Sequence, residues 1–308
     1  MKTGLLLLLG AIAGLAQNGA KTKDVTFYSE DVQCHARIFL PKDFSATGKS
    51  PAVVLAPGWG ETAASIEKYA AHFAEQGLVA MTIDYRGWGK SGGYLYLLDN
   101  LRYDDRLRFS QHTAKVRIRR KRLLPNDQIL DIRNAISYLQ GEPGVDRARI
   151  GVWGTDMAGG HAIVVAATDA RVKCVVAQSP VISGADASKK TTRAPAAAEQ
   201  QMIKLARTGQ APATPLAAAV MSAEETKLAL AEYQPLWYAD QIPQSTAVLF
   251  VVAANDPKVD NEKNAVAALK KLRGETSVHS IPGATHVLSG KSLETAAGAA
   301  ADWFVKHL

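Results

Sequence analysis

The 308-residue chain has only two cysteines, Cys34 and Cys174. Both lie in strand-like apolar runs, which predicts two buried free thiols. A disulfide between them is the alternative, because an exported protein would permit one, but their spacing cannot show that they are close. A fold held together by several disulfides is therefore excluded.

Long hydrophobic runs are also missing, since no stretch reaches the roughly 20 apolar residues that a membrane-spanning helix needs. The N-terminus has Met1-Lys2 followed by a short apolar stretch from Leu5 to Ala16. A charged start, a short apolar region and a small-x-small pattern at residues 14–16 predict a signal peptide over residues 1–16. The mature protein is then expected to be secreted or periplasmic, with no membrane association after cleavage.

Patterns for metals and nucleotides are absent as well. Five of the seven histidines are scattered without a metal-ligand spacing, and there is no Walker A motif. A formal net charge of +7 is mildly basic, which suits anionic partners but does not indicate nucleic-acid binding. We therefore expect no metal, no cofactor and no nucleic-acid partner. A small-molecule substrate is expected, and the oligomeric state is left open.

Short apolar runs alternate with helical patterns along most of the chain. Residues 51–57, 78–83 and 172–177 are typical of buried parallel strands, and residues 64–76 carry an apolar helical stripe. A further helix is expected to be capped by Asn126 or Asp127. The alternation predicts an α/β protein with a doubly wound, mostly parallel sheet, opened by a hairpin over residues 24–40. Residues 17–308 are expected to form a single domain.

Two stretches break this alternation, and we expect lid-like insertions at about residues 93–125 and 183–240. The first contains Tyr94, Tyr96 and Tyr103, which are candidate substrate contacts, and a basic run over residues 115–122. Such a run is more often a solvated or salt-bridged surface than a binding site. The second is rich in Ala, Lys, Gln and Thr, with helices plausible at 196–208 and 222–232.

Residues 150–160, IGVWGTDMAGG, predict a buried strand, a sharp turn and a helix. The spacing of Gly154, Asp156 and Ala158 is that of a nucleophile elbow, which holds one reactive side chain on a strained turn at the top of a sheet. The reactive position is Asp156, where a serine is the common choice. His161, one helical turn later, is expected to pack in the core.

Three residues follow strand ends in the order nucleophile, acid, histidine: Asp156, Asp256 and His286. In a triad of this order the imidazole acts as a base, and the acid fixes its tautomer and stabilises the imidazolium. Because the carboxyl ends of parallel strands converge on one crevice, we expect the three side chains to meet. Asp260 is the alternative acid, although it is better placed to cap the next helix.

In these motifs the chain resembles the α/β-hydrolase superfamily, nearest to its dienelactone-hydrolase-like and Xaa-Pro-peptidase-like members, with Asp in place of the nucleophilic Ser. The resemblance rests on the elbow, on PGWG at residues 57–60, on DYRGWGKS at 84–91, and on the loops at 254–256 and 283–286. It implies the α/β-hydrolase fold. It also implies an oxyanion hole made by the backbone N–H groups of Trp59 or Gly60 and of Met157.

Asp156 leaves the reaction open. An ionised carboxylate needs no base to attack, and its attack on an alkyl carbon gives an enzyme ester that water activated by His286 would cleave. Haloalkane dehalogenases and epoxide hydrolases, relatives with an Asp nucleophile, are understood to work in this way. The former usually have a Trp where this chain has Met157. The latter need lid tyrosines, for which Tyr233 and Tyr238 are further candidates.

The overall resemblance favours acyl chemistry. We therefore expect hydrolysis of an ester, a lactone or a similar small organic electrophile through Asp156, His286 and Asp256. An epoxide or haloalkane hydrolase that forms an alkyl ester on Asp156 is the first alternative. A non-catalytic binding protein on a hydrolase scaffold is the second, because a fold does not by itself imply a function.

Overall fold

The computed structural model describes residues 13–15, 20–99, 111, 113–183 and 232–308, with isolated positions at 201, 204–205, 226 and 229–230. Most of the predicted signal peptide, most of the two helices predicted in the second insertion, and Tyr103 lie outside the described residues. Within the described part of the chain, no helix is long and apolar enough to cross a membrane.

Among the described residues, nine strands form one sheet in the spatial order β1-β2-β3-β5-β4-β8-β9-β10-β11. Strands β1 to β3 and β5 pair antiparallel, and β5, β4, β8, β9, β10 and β11 run parallel, so the predicted mostly parallel sheet is confirmed. The strands are β1 (Ala13–Leu15), β2 (Lys21–Ser29), β3 (Val32–Leu40), β4 (Ser50–Ala56), β5 (Val79–Ile83), β8 (Val145–Thr155), β9 (Val172–Gln178), β10 (Ala247–Ala253) and β11 (Thr276–Ile281).

Helices cover both faces of the sheet, as a doubly wound fold requires. The described helices are α1 (Ala63–Glu75), α2 (Pro125–Gly141), α3 (Met157–Thr168), α4 (Ala267–Leu269) and α5 (Gly290–His307), with a 3₁₀ helix at Pro235–Gln241 and a π-helical turn at Glu262–Val266. Helices α1 and α5 share one apolar cluster, and α2 and α3 share the other. The central strands are buried between these two layers, which explains why they are apolar throughout.

The structure corrects the predicted start of α2. The helix begins at Pro125 and its N-cap position is Leu124, so neither Asn126 nor Asp127 is the cap. Proline is favoured at the first helical position, because its ring presets the helical φ and the missing N–H would have no partner inside the helix. The pattern of residues 261–273 predicts one helix, but the structure has only the π-helical turn and the short helix α4 there.

The first insertion contains a small hairpin that is separate from the main sheet. Strands β6 (Tyr94–Leu97) and β7 (Val116–Arg119) pair antiparallel and form their own two-stranded sheet. The basic run predicted at residues 115–122 therefore lies largely on β7 and just beyond it.

The two cysteines are free and buried, which confirms the predicted thiols. Cys34 belongs to the apolar cluster on one face of the sheet and Cys174 to the cluster on the other, so the sheet itself separates them. Burial raises the pKa of the Cys34 thiol to about 12, which keeps it protonated and unreactive at neutral pH.

Candidate active site

The junction of β8 and α3 places Asp156 on a strained turn. Its φ of 54° and ψ of −121° lie in a region that non-glycine residues rarely adopt. Two backbone hydrogen bonds hold it there: its N–H donates to the carbonyl of Gln178 and its carbonyl accepts from Val181, each at 2.9 Å. The turn is thus fixed by the end of the neighbouring strand β9, as the elbow motif requires.

Small residues around the turn are needed for steric reasons. A Cβ atom on Gly154 would lie 2.1 Å from the carbonyl oxygen of Ala158, and one on Gly159 would lie 2.6 Å from a side-chain atom of Pro180. Neither position can hold a side chain without moving the backbone. The glycines therefore allow the strand and the helix to cross closely enough to present Asp156.

His286 lies between two carboxylates. Its Nδ1 is 2.9 Å from Oδ2 of Asp256, and its Nε2 is 3.5 Å from Oδ1 of Asp156. The side chain of Asp256 is fully buried, whereas those of His286 and Asp156 are 13% and 21% exposed. The structure therefore brings together the three residues predicted from the sequence. Of the three side chains, that of Asp156 is the most accessible to solvent.

The structure also separates the two candidate acids. Besides contacting His286, Asp256 accepts hydrogen bonds from the backbone N–H groups of Lys258 and Val259, which orient its carboxylate. Asp260 accepts from the backbone N–H groups at the start of the next helical turn and pairs with Lys263 at 3.0 Å. Asp256 faces the histidine, and Asp260 binds backbone N–H groups of the following π-helical turn.

One oxygen of Asp156 occupies the position predicted for an oxyanion. The backbone N–H of Trp59 donates to Oδ2 of Asp156 at 2.9 Å, and the N–H of Met157 lies close enough to help lower the pKa of this carboxylate. Gly58 makes the close approach possible, because a Cβ there would lie 3.0 Å from Cβ of Asp156. Of the residues predicted for the oxyanion hole, Trp59 and Met157 contact the carboxylate, whereas Gly60 forms a turn with a φ of 70°.

The charges at the site are coupled. The contact with Asp156 raises the pKa of His286 above its ordinary value despite the opposing effect of burial, and Asp256 adds to the increase. Burial alone would raise the pKa of Asp156, but His286 and the N–H groups of Trp59 and Met157 lower it below its usual range. Asp156 is therefore an ionised carboxylate at neutral pH.

A turn after β5 fixes the loop that carries Trp59. The carboxylate of Asp84 accepts from the backbone N–H of Ala63, at the start of α1, at 2.8 Å and from that of Lys90 at 2.9 Å. Arg86 of the same turn forms a buried ion pair with Asp131 of α2 at 2.6 Å. The DYRGWGKS motif thus supports the loop after β4.

His161 is fully buried beneath the elbow, as expected for a core histidine. Its Nδ1 is 2.8 Å from the hydroxyl of Tyr233 and its Nε2 is 2.9 Å from Oε1 of Gln128. Burial lowers the pKa of His161 to about 3, so the ring is neutral. Tyr233 also donates to the carbonyl of Met157 at 3.1 Å. Sequence reasoning missed this support, because its members come from three segments without a shared motif.

The tyrosines predicted to contact the substrate have other partners. Tyr94 donates a short hydrogen bond to Asp127, and the hydroxyl of Tyr96 accepts from Arg122 at 3.0 Å. Within the described residues these hydroxyls contact α2 and the basic run and make no contact with the carboxylate of Asp156. No cluster of three or more His, Cys, Asp or Glu residues that could hold a metal ion occurs in the same part of the chain.

Comparison with known proteins places this site in a family. The family model for acetyl xylan esterase (AXE1) matches residues 13–196, and the model for the prolyl oligopeptidase family matches residues 117–308. Each model covers more than half of the chain. Both describe hydrolases, and together they cover the elbow, the acid loop and the histidine loop.

Relatives with curated names match parts of the chain. An uncharacterised 31.7 kDa protein of Escherichia coli is 33% identical over 137 residues, which is 44% of this chain and 39% of the relative. The quorum-quenching protein AidA of Acinetobacter baumannii is 30% identical over 54% of this chain and 46% of the relative. A thiohydrolase of Arthrinium phaeospermum is 30% identical over 44% and 37%, respectively. The matches thus span less than half the length of these relatives.

Solved structures match over the whole fold. A hypothetical protein of Pseudomonas aeruginosa superposes with a TM-score of 0.73 at 20% identity, covering 100% of both chains. Acetyl xylan esterase 1 of a Thermoanaerobacterium species superposes with a TM-score of 0.60 at 19% identity, covering 96% of this chain and 86% of the other. These likenesses confirm the α/β-hydrolase fold, and with the two family models they show that the chain belongs to the α/β-hydrolases and is a hydrolase.

Proposed function

We propose that this hydrolase opens a small organic ester, a lactone or a related electrophile by forming a covalent ester on Asp156. The proposal rests on the different contacts of the two oxygens of this carboxylate. Oδ2 accepts from the backbone N–H of Trp59, while Oδ1 faces His286. Oδ1 is therefore the attacking atom, and Oδ2 is already in the place where negative charge develops later.

In the first step, Oδ1 of Asp156 attacks the alkyl carbon of the substrate. The bond from that carbon to its leaving oxygen breaks, and the leaving group takes the electron pair. A lactone or an ester leaves as a carboxylate, which needs no proton. An epoxide would open to an alkoxide, which must take up a proton. The hydroxyls of Tyr94 and Tyr96 contact Asp127 and Arg122 and are not placed to supply that proton.

In the second step, His286 removes a proton from water, and the resulting hydroxide attacks Cγ of the ester on Asp156. The N–H groups of Trp59 and Met157 stabilise the charge on Oδ2. When the intermediate collapses, the alcohol leaves with the proton from His286 and the carboxylate is restored. Esterification has removed the charge that raises the pKa of His286 most. The imidazole is therefore driven towards its neutral, basic form at the moment it is needed.

Attack at a carbonyl carbon by water that His286 activates is the second candidate. The names of relatives favour it, since acetyl xylan esterases and a thiohydrolase are among the matches. In that reaction Asp156 would orient the water and would not become esterified. The two candidates use the same histidine and acid. In the first, the water oxygen is added to Cγ of Asp156, and in the second it is added to the carbonyl carbon of the substrate.

A single-turnover experiment in H₂¹⁸O separates the candidates. Excess enzyme is mixed with a panel of small lactones, alkyl esters and thioesters, and the product and the peptide containing Asp156 are analysed by mass spectrometry. The covalent route places ¹⁸O in the carboxylate of Asp156 and leaves the alcohol unlabelled. Label only in the acid product would overturn it in favour of carbonyl attack. Asp156→Asn should abolish labelling of this peptide, and Asp260→Asn should leave it unchanged.

The absence of turnover on the whole panel by the folded enzyme would count against both candidates and would favour a binding role for the same cleft. Export is proposed separately, from residues 1–16 alone. N-terminal sequencing of the protein recovered from a periplasmic fraction or from the medium tests it, with a new N-terminus near Gln17 as the expected result.

A further inference from the structure

The hairpin formed by β6 and β7 presents an apolar face to solvent. In its register, Leu95 lies opposite Ile118 and Leu97 lies opposite Val116, so the four side chains share one face. With the adjoining Leu98, these side chains are 48–59% exposed. The other face carries Tyr94 and Tyr96, which contact α2 and the basic run. This hairpin is therefore packed on one side and uncovered on the other.

Aliphatic side chains in such an arrangement are unusual on a protein surface. Single exposed apolar residues are common, whereas four on one face of a hairpin indicate an interaction site. We therefore expect a binding partner to cover this apolar face.

The same hairpin is strongly basic. Six of the eight residues at 115–122 are Lys or Arg, and none is acidic. In the part of the chain that the structure describes, Lys115, Arg120 and Lys121 form no salt bridge. Arg120 donates to the carbonyl oxygens of Ser91 and Gly89, and these bonds orient its guanidinium without neutralising its charge. A partner with a negative surface would supply the missing counter-charge.

We propose that this hairpin docks on an anionic lipid surface. The side chains of Leu95, Leu97, Leu98, Val116 and Ile118 would enter the boundary between headgroups and acyl chains. The lysine and arginine side chains of the basic run lie on the other face of β7 and beyond its end, and their long stems would let their charged ends reach lipid phosphates around the hairpin. Apolar insertion and electrostatic attraction act together, which is the combination that reversible membrane binding requires.

Other partners fit this surface less well. A nucleic acid would satisfy the positive charge, but it offers no apolar surface to cover the aliphatic face. A second copy of the chain would cover that face, but a symmetric contact would bring two basic runs together and like charges would repel. A lipid surface provides both an apolar layer and negative charge.

The hairpin is tied rigidly to the catalytic domain. The indole N–H of Trp88 donates to the carbonyl of Arg122 at 2.9 Å, and the N–H of Lys121 donates to the carbonyl of Gly87 at 3.0 Å. Both partners belong to the turn after β5 that also supports the oxyanion loop. Docking through the hairpin would therefore hold the catalytic domain in a fixed orientation at the lipid surface, and it would replace the expectation of no membrane association.

Vesicle co-sedimentation of the full chain tests the proposal. We expect binding to vesicles containing phosphatidylglycerol, weaker binding to pure phosphatidylcholine, and loss of binding at high salt. A double change of Leu95→Ser and Ile118→Ser should reduce the partition coefficient at least tenfold. Lys115→Gln with Lys121→Gln should reduce it by a similar factor on anionic vesicles only, since each basic residue contributes about fivefold.

Controls are available elsewhere on the surface. Val305→Ser removes a side chain that is 55% exposed on α5, and Lys291→Gln removes a charge from the same helix. Both variants should bind vesicles like the wild type, and circular dichroism and thermal unfolding should show that all variants are folded. Equal binding by the hairpin variants would overturn the proposal, because the N-terminal apolar run or another surface would then be responsible. Binding to duplex DNA that Ile118→Ser does not weaken, without vesicle binding, would also overturn it.

Discussion

The backbone N–H of Trp59 and Oδ2 of Asp156 are 2.9 Å apart, so the enzyme's own carboxylate fills the position that a substrate oxyanion would take in a serine hydrolase. This places the proposed nucleophile and the proposed oxyanion donors in one rigid unit. It also means that a neutral substrate carbonyl cannot enter the hole unless the carboxylate moves.

Replacing Asp156 with Asn should lower the pKa of His286. The contact with Asp156 is the largest influence raising that pKa, and the amide carries no charge. An NMR titration of the His286 ring should show the shift. In the wild type, the raised pKa keeps His286 protonated over a wider range, so hydrolysis of the enzyme ester should fall as pH drops through the lower pKa of the esterified form. An unchanged pKa in Asp156→Asn would mean that the two side chains do not interact in solution.

Asp256→Asn and Asp260→Asn form a matched pair four residues apart. Asp256 orients and charges His286, and removing the corresponding acid in a well-studied serine protease triad lowers turnover about 10⁴-fold. We expect a loss of roughly 10²- to 10⁴-fold for Asp256→Asn, mainly in kcat. Asp260→Asn should keep turnover close to that of the wild type, because Asp260 only caps the following helical turn. Steady-state kinetics on one substrate decides between them, and equal losses would mean that the acid is misassigned.

The meeting of Asp156, Asp256 and His286 could be predicted because each lies at the end of a strand or in the loop after it, and parallel strands bring these ends to one edge of the sheet. The hydrogen bonds beneath the elbow could not be predicted from the sequence. Tyr233, His161 and Gln128 come from three segments whose local sequence shows no shared pattern. The ion pair of Arg86 and Asp131 joins residues 45 positions apart, and only the packing of α2 on the sheet reveals it.

The start of α2 shows a further limit of sequence patterns. Asn126 and Asp127 are good capping residues, yet Pro125 begins the helix and Asp127 binds Tyr94 of the hairpin. The carboxylate of Asp127 thus makes a tertiary contact with Tyr94, whereas the local sequence predicts that it caps the helix. The choice between the N–H groups of Trp59 and Gly60 could not be predicted for a similar reason. Only the three-dimensional path of residues 57–60 shows that the N–H of Trp59 meets Asp156.

Gly154→Ala and Gly141→Ala should behave in opposite ways. A Cβ on Gly154 would lie 2.1 Å from the carbonyl oxygen of Ala158, whereas a Cβ on Gly141 would meet nothing within 4 Å. We expect Gly154→Ala to lower the free energy of unfolding by several kcal/mol or to prevent folding, by the overpacking mechanism. Gly141→Ala should be neutral or should raise it by up to about 1 kcal/mol. Urea denaturation measures both. A well-tolerated Gly154→Ala would show that α3 can move away from β8 and that the elbow is less rigid than described.

Asp156→Ser should convert the protein into an ordinary serine esterase. The shorter side chain vacates the position of Oδ2, so the N–H groups of Trp59 and Met157 become free to hold a substrate carbonyl oxygen. His286, oriented by Asp256 at 2.9 Å, can then act as the base for the serine hydroxyl. Hydrolysis of a p-nitrophenyl acetate probe, with a burst of p-nitrophenol from acyl-enzyme formation, is the expected result. Asp156→Ala, which opens the same space without a nucleophile, should show no burst. A folded Asp156→Ser variant that never forms an acyl-enzyme would mean that His286 or the oxyanion donors have been assigned wrongly.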